Sequence, residues 1–368
     1  MVANWARRKQ SLGVVAESAP KARGFFLVFL TNCWASWNSC HFVKCTMSHD
    51  DTDLDVQDLD VPEDASAAQD LASWLGLIAR IGKDQGHFTP LGDRHWSLMT
   101  QDGPHLLVTF DTIDAARQRA GQMPQLYEFA STMGWSYLCL IADGQTWFRD
   151  PAVYAHFDEL IDDAVFDGYD RVTLYGAGMA GYAAAAYSVA APGATVLAIS
   201  PRATMAPSRV PFEVRDRPAR RLDFTSRFGF APDMVRAASQ VWILRDPHYA
   251  ADAAQSALFQ GRAVHTLNLR HLADKVEVVL SELDILPKLI AAAMKGEMSA
   301  DYLARLWRDR RNFAPYLRRL LAKNETARRE GRAFAICSNA ARRIKAPEFQ
   351  HRLDAMIKAR DARRHPAS

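Results

Sequence analysis

Cysteine is scarce in this chain: five occur in 368 residues, and three of them, Cys33, Cys40 and Cys45, fall within the first 46. The other two, Cys139 and Cys337, are far apart, which excludes a disulfide framework or a zinc site built from them and makes a reducing cytoplasm the expected compartment. Long apolar runs are missing too, and no stretch is long and apolar enough for a transmembrane helix. A net charge of +3 gives no reason to expect a nucleic-acid partner. No metal is expected either. The carboxylates around residues 50–64 alternate with Leu and Val and lack the glycine and terminal Glu of a calcium loop.

What charge there is lies unevenly. Residues 47–70 hold nine acidic side chains and no Lys or Arg, whereas 296–368 hold eighteen Lys and Arg against eight Asp and Glu. These shifts suggest four regions. Residues 1–46 form an atypical leader in which Arg7, Arg8, Lys9, Lys21 and Arg23 precede the short apolar run Gly24 to Leu30. That run is broken by Thr31-Asn32 and has no small-residue cleavage site after it, so a signal peptide fits poorly and a functional start at Met47 is expected. Residues 47–65 read as an acidic disordered arm. Residues 66–295 read as an α/β domain, and 296–368 as a basic α-helical tail whose helices begin at Ser299, Pro315, Arg332 and Pro347. The excess of cations in this tail could receive an acidic partner.

The centre of the α/β region is RVTLYGAGMAGYAAAAYSVAAPGATVLAIS, residues 171–200. A β-branched apolar run leads into Gly176-Ala-Gly178-Met-Ala-Gly181, an alanine-rich helix follows, Pro192-Gly193 stops it, and a second strand runs from Ala194 to Ile199. Gly176, Gly178 and Gly181 match the dinucleotide fingerprint G-x-G-x-x-G. The next strand ends at Ser200-Pro201-Arg202 rather than at an acid, so this alternative takes NADP, with Arg202 on the 2′-phosphate. Against it, about a hundred residues of sheet precede the glycines, from a hairpin expected at His95–Met99 and Leu106–Phe110 to a strand at Tyr137–Ile141.

Gly176-Ala-Gly178-Met-Ala-Gly181-Tyr182 also resembles the G-x-S-M-G-G-Y nucleophile elbow of one α/β-hydrolase branch, with Gly178 where the serine would stand. The strand Gln240 to Arg245 then ends at Asp246, and the strand Ala263 to Leu269 is followed by His271, which reproduces the superfamily's order of nucleophile, acid and histidine. The resemblance covers roughly Leu106 to Met294. It implies a mostly parallel α/β-hydrolase-like sheet flanked by helices, here with a C-terminal helical appendage. It also implies backbone oxyanion donors at Asp111 and Met179, a vestigial nucleophile position at Gly178, and Asp246 and His271 as acid and base. Without a hydroxyl at 178 the expected role is non-catalytic, in binding or assembly with a small molecule or protein, and needs no cofactor.

The chain is also similar to bacterial proteins often labelled phosphoadenosine phosphosulfate reductase. That family's Ser-Gly-rich phosphate loop and C-terminal Cys-Gly motif are not found here, since Cys337 sits in Ala-Ile-Cys-Ser-Asn. If residues 1–46 carry no structure, a protein beginning at Met47 will match the full chain in thermal midpoint, a comparison that calorimetry makes directly; a clear loss on truncation would show that the leader is part of the fold.

Overall fold

The computed structural model describes residues 64–364. The leader 1–46 and the acidic arm as far as residue 63 lie outside the described residues. Eight strands form one sheet: β1 (Gly86–Leu91), β2 (His95–Thr100), β3 (His105–Thr112), β4 (Ser136–Ala142), β5 (Arg171–Ala177), β6 (Thr195–Ile199), β7 (Gln240–Arg245) and β8 (Val264–Asn268). Their spatial order is β1-β2-β4-β3-β5-β6-β7-β8. β2 runs antiparallel to both of its neighbours, and every pair from β4-β3 to β7-β8 is parallel.

The sheet is buried on both faces, which is why its central strands are apolar without alternation. Leu106, Val108 and Phe110 of β3, with Leu138 and Leu140 of β4, face one core. Leu107, Tyr137, Cys139 and Ile141 face the other. The first core is covered by α4 (Pro151–Asp162), α5 (Met179–Tyr187) and α6 (Ala231–Met234). Here Phe157 stacks on Tyr187 with ring centroids 4.2 Å apart, a contact of the kind that adds about 0.5–1.5 kcal/mol beyond its buried area. The second core is covered by α1 (Leu71–Gln85), α2 (Ile113–Arg117), α3 (Tyr127–Thr132), α8 (Val276–Glu282) and α9 (Leu286–Lys295). Between the two last strands, α7 (Ala250–Ser256) follows β7.

The C-terminal helices are of two kinds. Leu303 of α10 (Ala300–Leu306), Trp307 and Tyr316 of α11 (Ala314–Thr326) join the second core. Cys337 and Ala340 of α12 (Glu330–Arg343), with Phe349 of α13 (Pro347–Arg364), form a small cluster of their own. Part of the basic excess is paired within this appendage, in Arg318–Glu348, Arg352–Glu325 and Arg363–Glu330.

One expectation is corrected. β2 and β3 do not pair as a hairpin, because β4 inserts between them, and the hairpin partner of β2 is β1, a strand interrupted by Pro90. Gln101-Asp-Gly-Pro104 is therefore a crossover rather than a tight turn. The helix after β4 covers Pro151 to Asp162, where Asp150 caps the Ala152 amide and Pro151 supplies the preset first turn.

Two buried histidines stand on β2 and α4, His95 and His156. His95 Nε2 bonds Thr146 Oγ1 at 2.8 Å, and His156 Nε2 bonds Ser97 Oγ at 2.9 Å. Burial pushes the pKa of both below the ordinary value, against a smaller opposing pull from Asp150 on His95 and Glu159 on His156. A depressed folded pKa means that the unfolded chain takes up these protons first, so the stability tied to the neutral rings is present above about pH 6.5 and is lost as pH falls below it. Urea midpoints measured from pH 7.5 to 5 should decline, and the double variant His95→Gln, His156→Gln should show a flatter decline.

Candidate functional site

The sharpest backbone feature is the turn from β5 into α5. Gly178 takes φ 58° and ψ −112°, a conformation that side-chain-bearing residues adopt only with strain. Its N–H donates to the Ile199 carbonyl at 2.9 Å, and its own carbonyl accepts from the Tyr182 amide at 3.1 Å. A Cβ built on Gly178 would meet nothing within 4 Å, so the turn has room for a side chain and points it into open space. Gly176 has a different reason to be glycine. A Cβ there would stand 2.2 Å from the Ala180 carbonyl, so its hydrogen is what lets the helix rest on the strand. α5 opens without a side-chain cap, leaving the amide of Met179 at the start of a helix with its positive end exposed to the turn. The Met179 thioether receives the Trp147 N–H at 3.3 Å.

Beside this turn lies a cavity of about 360 Å³ walled by Ala177, Gly178, Ile199, Ser200, Arg202, Arg215, Tyr249, Asp252, Asp274 and Glu277. Its polar wall is built from the ends of β6 and β7. Arg215, from the irregular segment after β6, forks onto Glu213 through Nε and Nη2 at 2.8 and 2.6 Å, and reaches Asp252 through Nη1 at 2.6 Å. Burial opposes ionisation of Glu213, yet the Arg215 hydrogen bonds prevail and bring its carboxyl down to about 2. Gln255 ties the group to the backbone, donating to Glu213 and to the Thr204 carbonyl and accepting from the Ala203 amide. Arg202 shares the Asp252 carboxylate at 3.4 Å and donates to the Ser200 carbonyl at 3.1 Å. Burial pulls its pKa down, only partly offset by Asp252. On the opposite wall Glu277 accepts from Tyr175 and from Gln125, each at 2.6 Å.

Of the residues singled out by sequence, Gly178 and Arg202 stand on this cavity, and Met179 adjoins it. Asp111 and Asp246 serve as anchors. The Asp111 carboxylate takes the Thr112 and Gln125 amides at 2.8 Å each and the Arg119 guanidinium at 2.5 Å. Asp246 accepts the His248 amide at 2.9 Å through Oδ1 and the Leu272 and Ala273 amides at 2.7 and 2.8 Å through Oδ2. These bonds hold the loop after β8, in which His271 and Ala273 both have positive φ. His271 lies outside the cavity wall. Its Nδ1 is 3.1 Å from Lys323 Nζ, and its ring stacks on His248 at 4.9 Å. An ammonium can only donate, so Nδ1 is the acceptor and the neutral ring carries its hydrogen on Nε2. Burial lowers the His271 pKa, and Lys323 and His248 lower it further. A catalytic relay needs the reverse arrangement, with Nδ1–H donating to the acid. Gly176 and Gly181 pack the helix on the sheet, and Arg202, the residue assigned to a 2′-phosphate, already shares a carboxylate.

The cavity residues that sequence reasoning passed over are Ser200, Tyr249, Asp252, Asp274 and Glu277. Arg215 is one of six arginines between residues 202 and 221, and nothing local in the sequence sets it apart. Strand ends were the available signal, since Ser200 follows β6 directly and Asp252 lies in the first turn of the helix after β7.

The different duties of the two relay candidates are measurable. Asp246→Ala strands three amides that a carboxylate now holds, and should lower unfolding free energy by about 2–4 kcal/mol. His271→Asn keeps a residue that tolerates positive φ and loses only a contact near the surface, so its cost should stay within about 1 kcal/mol. Chemical denaturation of the two variants gives both values.

No known protein family matches the sequence, and no curated protein matches it. Similar solved structures include Est1E from Butyrivibrio proteoclasticus, 12% identical, covering 56% of this chain and 98% of that one at a TM-score of 0.38. An S-formylglutathione hydrolase from Agrobacterium tumefaciens is 13% identical over 56% of this chain and 91% of its own, with a TM-score of 0.37. The capsule O-acetyltransferase of Neisseria meningitidis serogroup A is 10% identical over 55% and 93%, with a TM-score of 0.35. The fold assignment rests on the chain itself: with its antiparallel β2, its strand order and the strained turn between β5 and α5, the described chain has an α/β-hydrolase-like fold.

Proposed function

We propose that this protein works by binding a ligand at the Gly178 turn and not by acyl-enzyme chemistry. The observation that carries this reading is the apex of the turn, where the strained φ, ψ pair is kept and the residue is glycine. Acyl transfer of the serine type needs an oxygen or sulfur nucleophile at that apex, and a base whose tautomer an acid sets. Glycine supplies no nucleophile. Lys323 occupies the nitrogen that the acid would hold, and Asp246 is committed to three amides. The uncapped start of α5 remains able to receive a carbonyl or hydroxyl oxygen.

The alternatives draw less support. Arg202 and Arg215 share Asp252, which leaves the arginine of the NADP reading already partnered. For reductase chemistry a reactive thiolate is required. Burial pushes the Cys139 thiol up to about 12 and raises Cys337 as well. Both described cysteines are free and buried, which suits the reducing compartment expected from the sequence.

Purified full-length protein should not hydrolyse p-nitrophenyl acetate or butyrate above the buffer rate. Gly178→Ser should fold, at a cost of about 1–3 kcal/mol for positive φ, and should stay inactive because no base faces the new hydroxyl. NADPH fluorescence should be unchanged by millimolar mixing with the protein. Ester hydrolysis by the unaltered chain that disappears in His271→Asn would overturn the reading.

A further inference from the structure

We propose that the groove between α12 and α13 is a docking site for an acidic amphipathic helix of a partner protein. It lies outside the Gly178 site and does not depend on the binding role proposed there.

The groove holds about 770 Å³, roughly twice the cavity at the Gly178 turn. One wall is a face of α13. Arg352, Ala355, Met356, Ala359, Arg360 and Arg363 follow the i, i+3, i+4, i+7 spacing and so stand on one side of the helix, over a length of about 16 Å. The middle of that face is apolar, and arginines hold both its ends. Opposite it are Arg328 and Arg329 from the turn between α11 and α12, then Gly331, Ala333 and Phe334 in the first turns of α12, which continue the apolar strip. Ala333 is 1% exposed, so the strip is a floor and not a ridge. Arg360 lies over the Phe334 ring, 5.6 Å from its centroid, and joins the two walls.

Charge then selects the occupant. Five arginines and two glutamates line the groove. Glu325 pairs with Arg352 at 2.6 Å and Glu330 with Arg363 at 3.2 Å, so both carboxylates are already matched. Arg328, Arg329 and Arg360 are exposed, and no carboxylate pairs with them among the described residues. Unpaired guanidinium groups thus stand on both edges with an apolar floor between them. The complement is a surface with carboxylates on two flanks and an apolar stripe in the middle, which an acidic amphipathic helix presents. The glycine and alanines of the floor keep it low enough for a helix about 10 Å across. A nucleic acid matches less well, because its phosphates would leave the apolar floor uncovered and the groove's one aromatic ring, Phe334, already lies under Arg360. A lipid surface is flat, and an apolar floor recessed between arginines does not reach it.

The test is fluorescence anisotropy of the full-length chain with a labelled helical peptide of about sixteen residues, leucine along one stripe and glutamate on both flanks. Two relatives of the peptide serve as controls, one with glutamine for glutamate and one with serine for leucine. The acidic amphipathic peptide should saturate, and each relative should bind about tenfold more weakly. Arg329→Glu combined with Arg360→Glu, one from each wall, should weaken binding about tenfold. Ala359→Trp fills the floor at an exposed position without changing charge, and should weaken it by about as much. Arg342→Glu combined with Arg343→Glu makes the same change of charge outside the groove, and should leave binding within about twofold. The inference is overturned if the acidic peptide does not saturate at millimolar concentration, if the serine relative binds as well, or if the Arg342 and Arg343 variant loses as much as the groove variant. Displacement of the peptide by single-stranded oligouridylate or by phosphatidylserine vesicles that bind more tightly would overturn it too.

Discussion

Helix α5 lies so close to strand β5 that position 176 accepts nothing larger than a hydrogen. This approach is continued by Ala183, Ala184, Ala185 and Ala186, all fully buried, whose small side chains let the helix sit over β3, β5 and β6. From it follows the sharp turn at Gly178, tied across to β6 by the bond from the Gly178 amide to Ile199. Tyr187, the last residue of the same helix, joins Phe110, Phe148 and Phe157 in one aromatic layer. The cavity opens where the helix starts and β6 ends, so its place is a consequence of that packing.

Around the opening the protein keeps an expensive arrangement. Glu213, Asp252 and Gln255 are buried, the two carboxylates paired with Arg215 and Gln255 bonded to Glu213, although buried ion pairs contribute little net stability compared with apolar side chains of the same size. Such a network holds its members in fixed directions, and here it fixes the wall of a cavity. The residues that the hydrolase resemblance singled out hold structure together. Asp246 clasps the loop after β8, and His271 leans on Lys323 and His248. At Gly178 a strained backbone conformation is held by the residue that tolerates it best.

Much of the architecture was legible in the residues. The strand, glycine turn and alanine helix of 171–200 announce themselves by periodicity and breakers, and Asp246 and His271 were placed correctly at the ends of β7 and β8 because Asp-Pro and the apolar runs mark those ends. The pairing of β2 was not legible. An Asp-Gly-Pro connection between two strands looks the same whether the strands are neighbours or a third lies between them, and β4 enters from farther along the chain.

The sequence by itself determined the class of fold and the absence of a nucleophile at position 178, since both depend on local residue types and their spacing. Only the tertiary structure decided what the polar side chains do. Ser200, Arg202, Arg215, Asp252 and Glu277 come from four separate segments. Lys323 reaches His271 from a helix 52 residues later. A carboxylate or an imidazole has no fixed duty in sequence; its partner sets its charge, its tautomer and its direction, and partners this distant in the chain meet only when the sheet is complete.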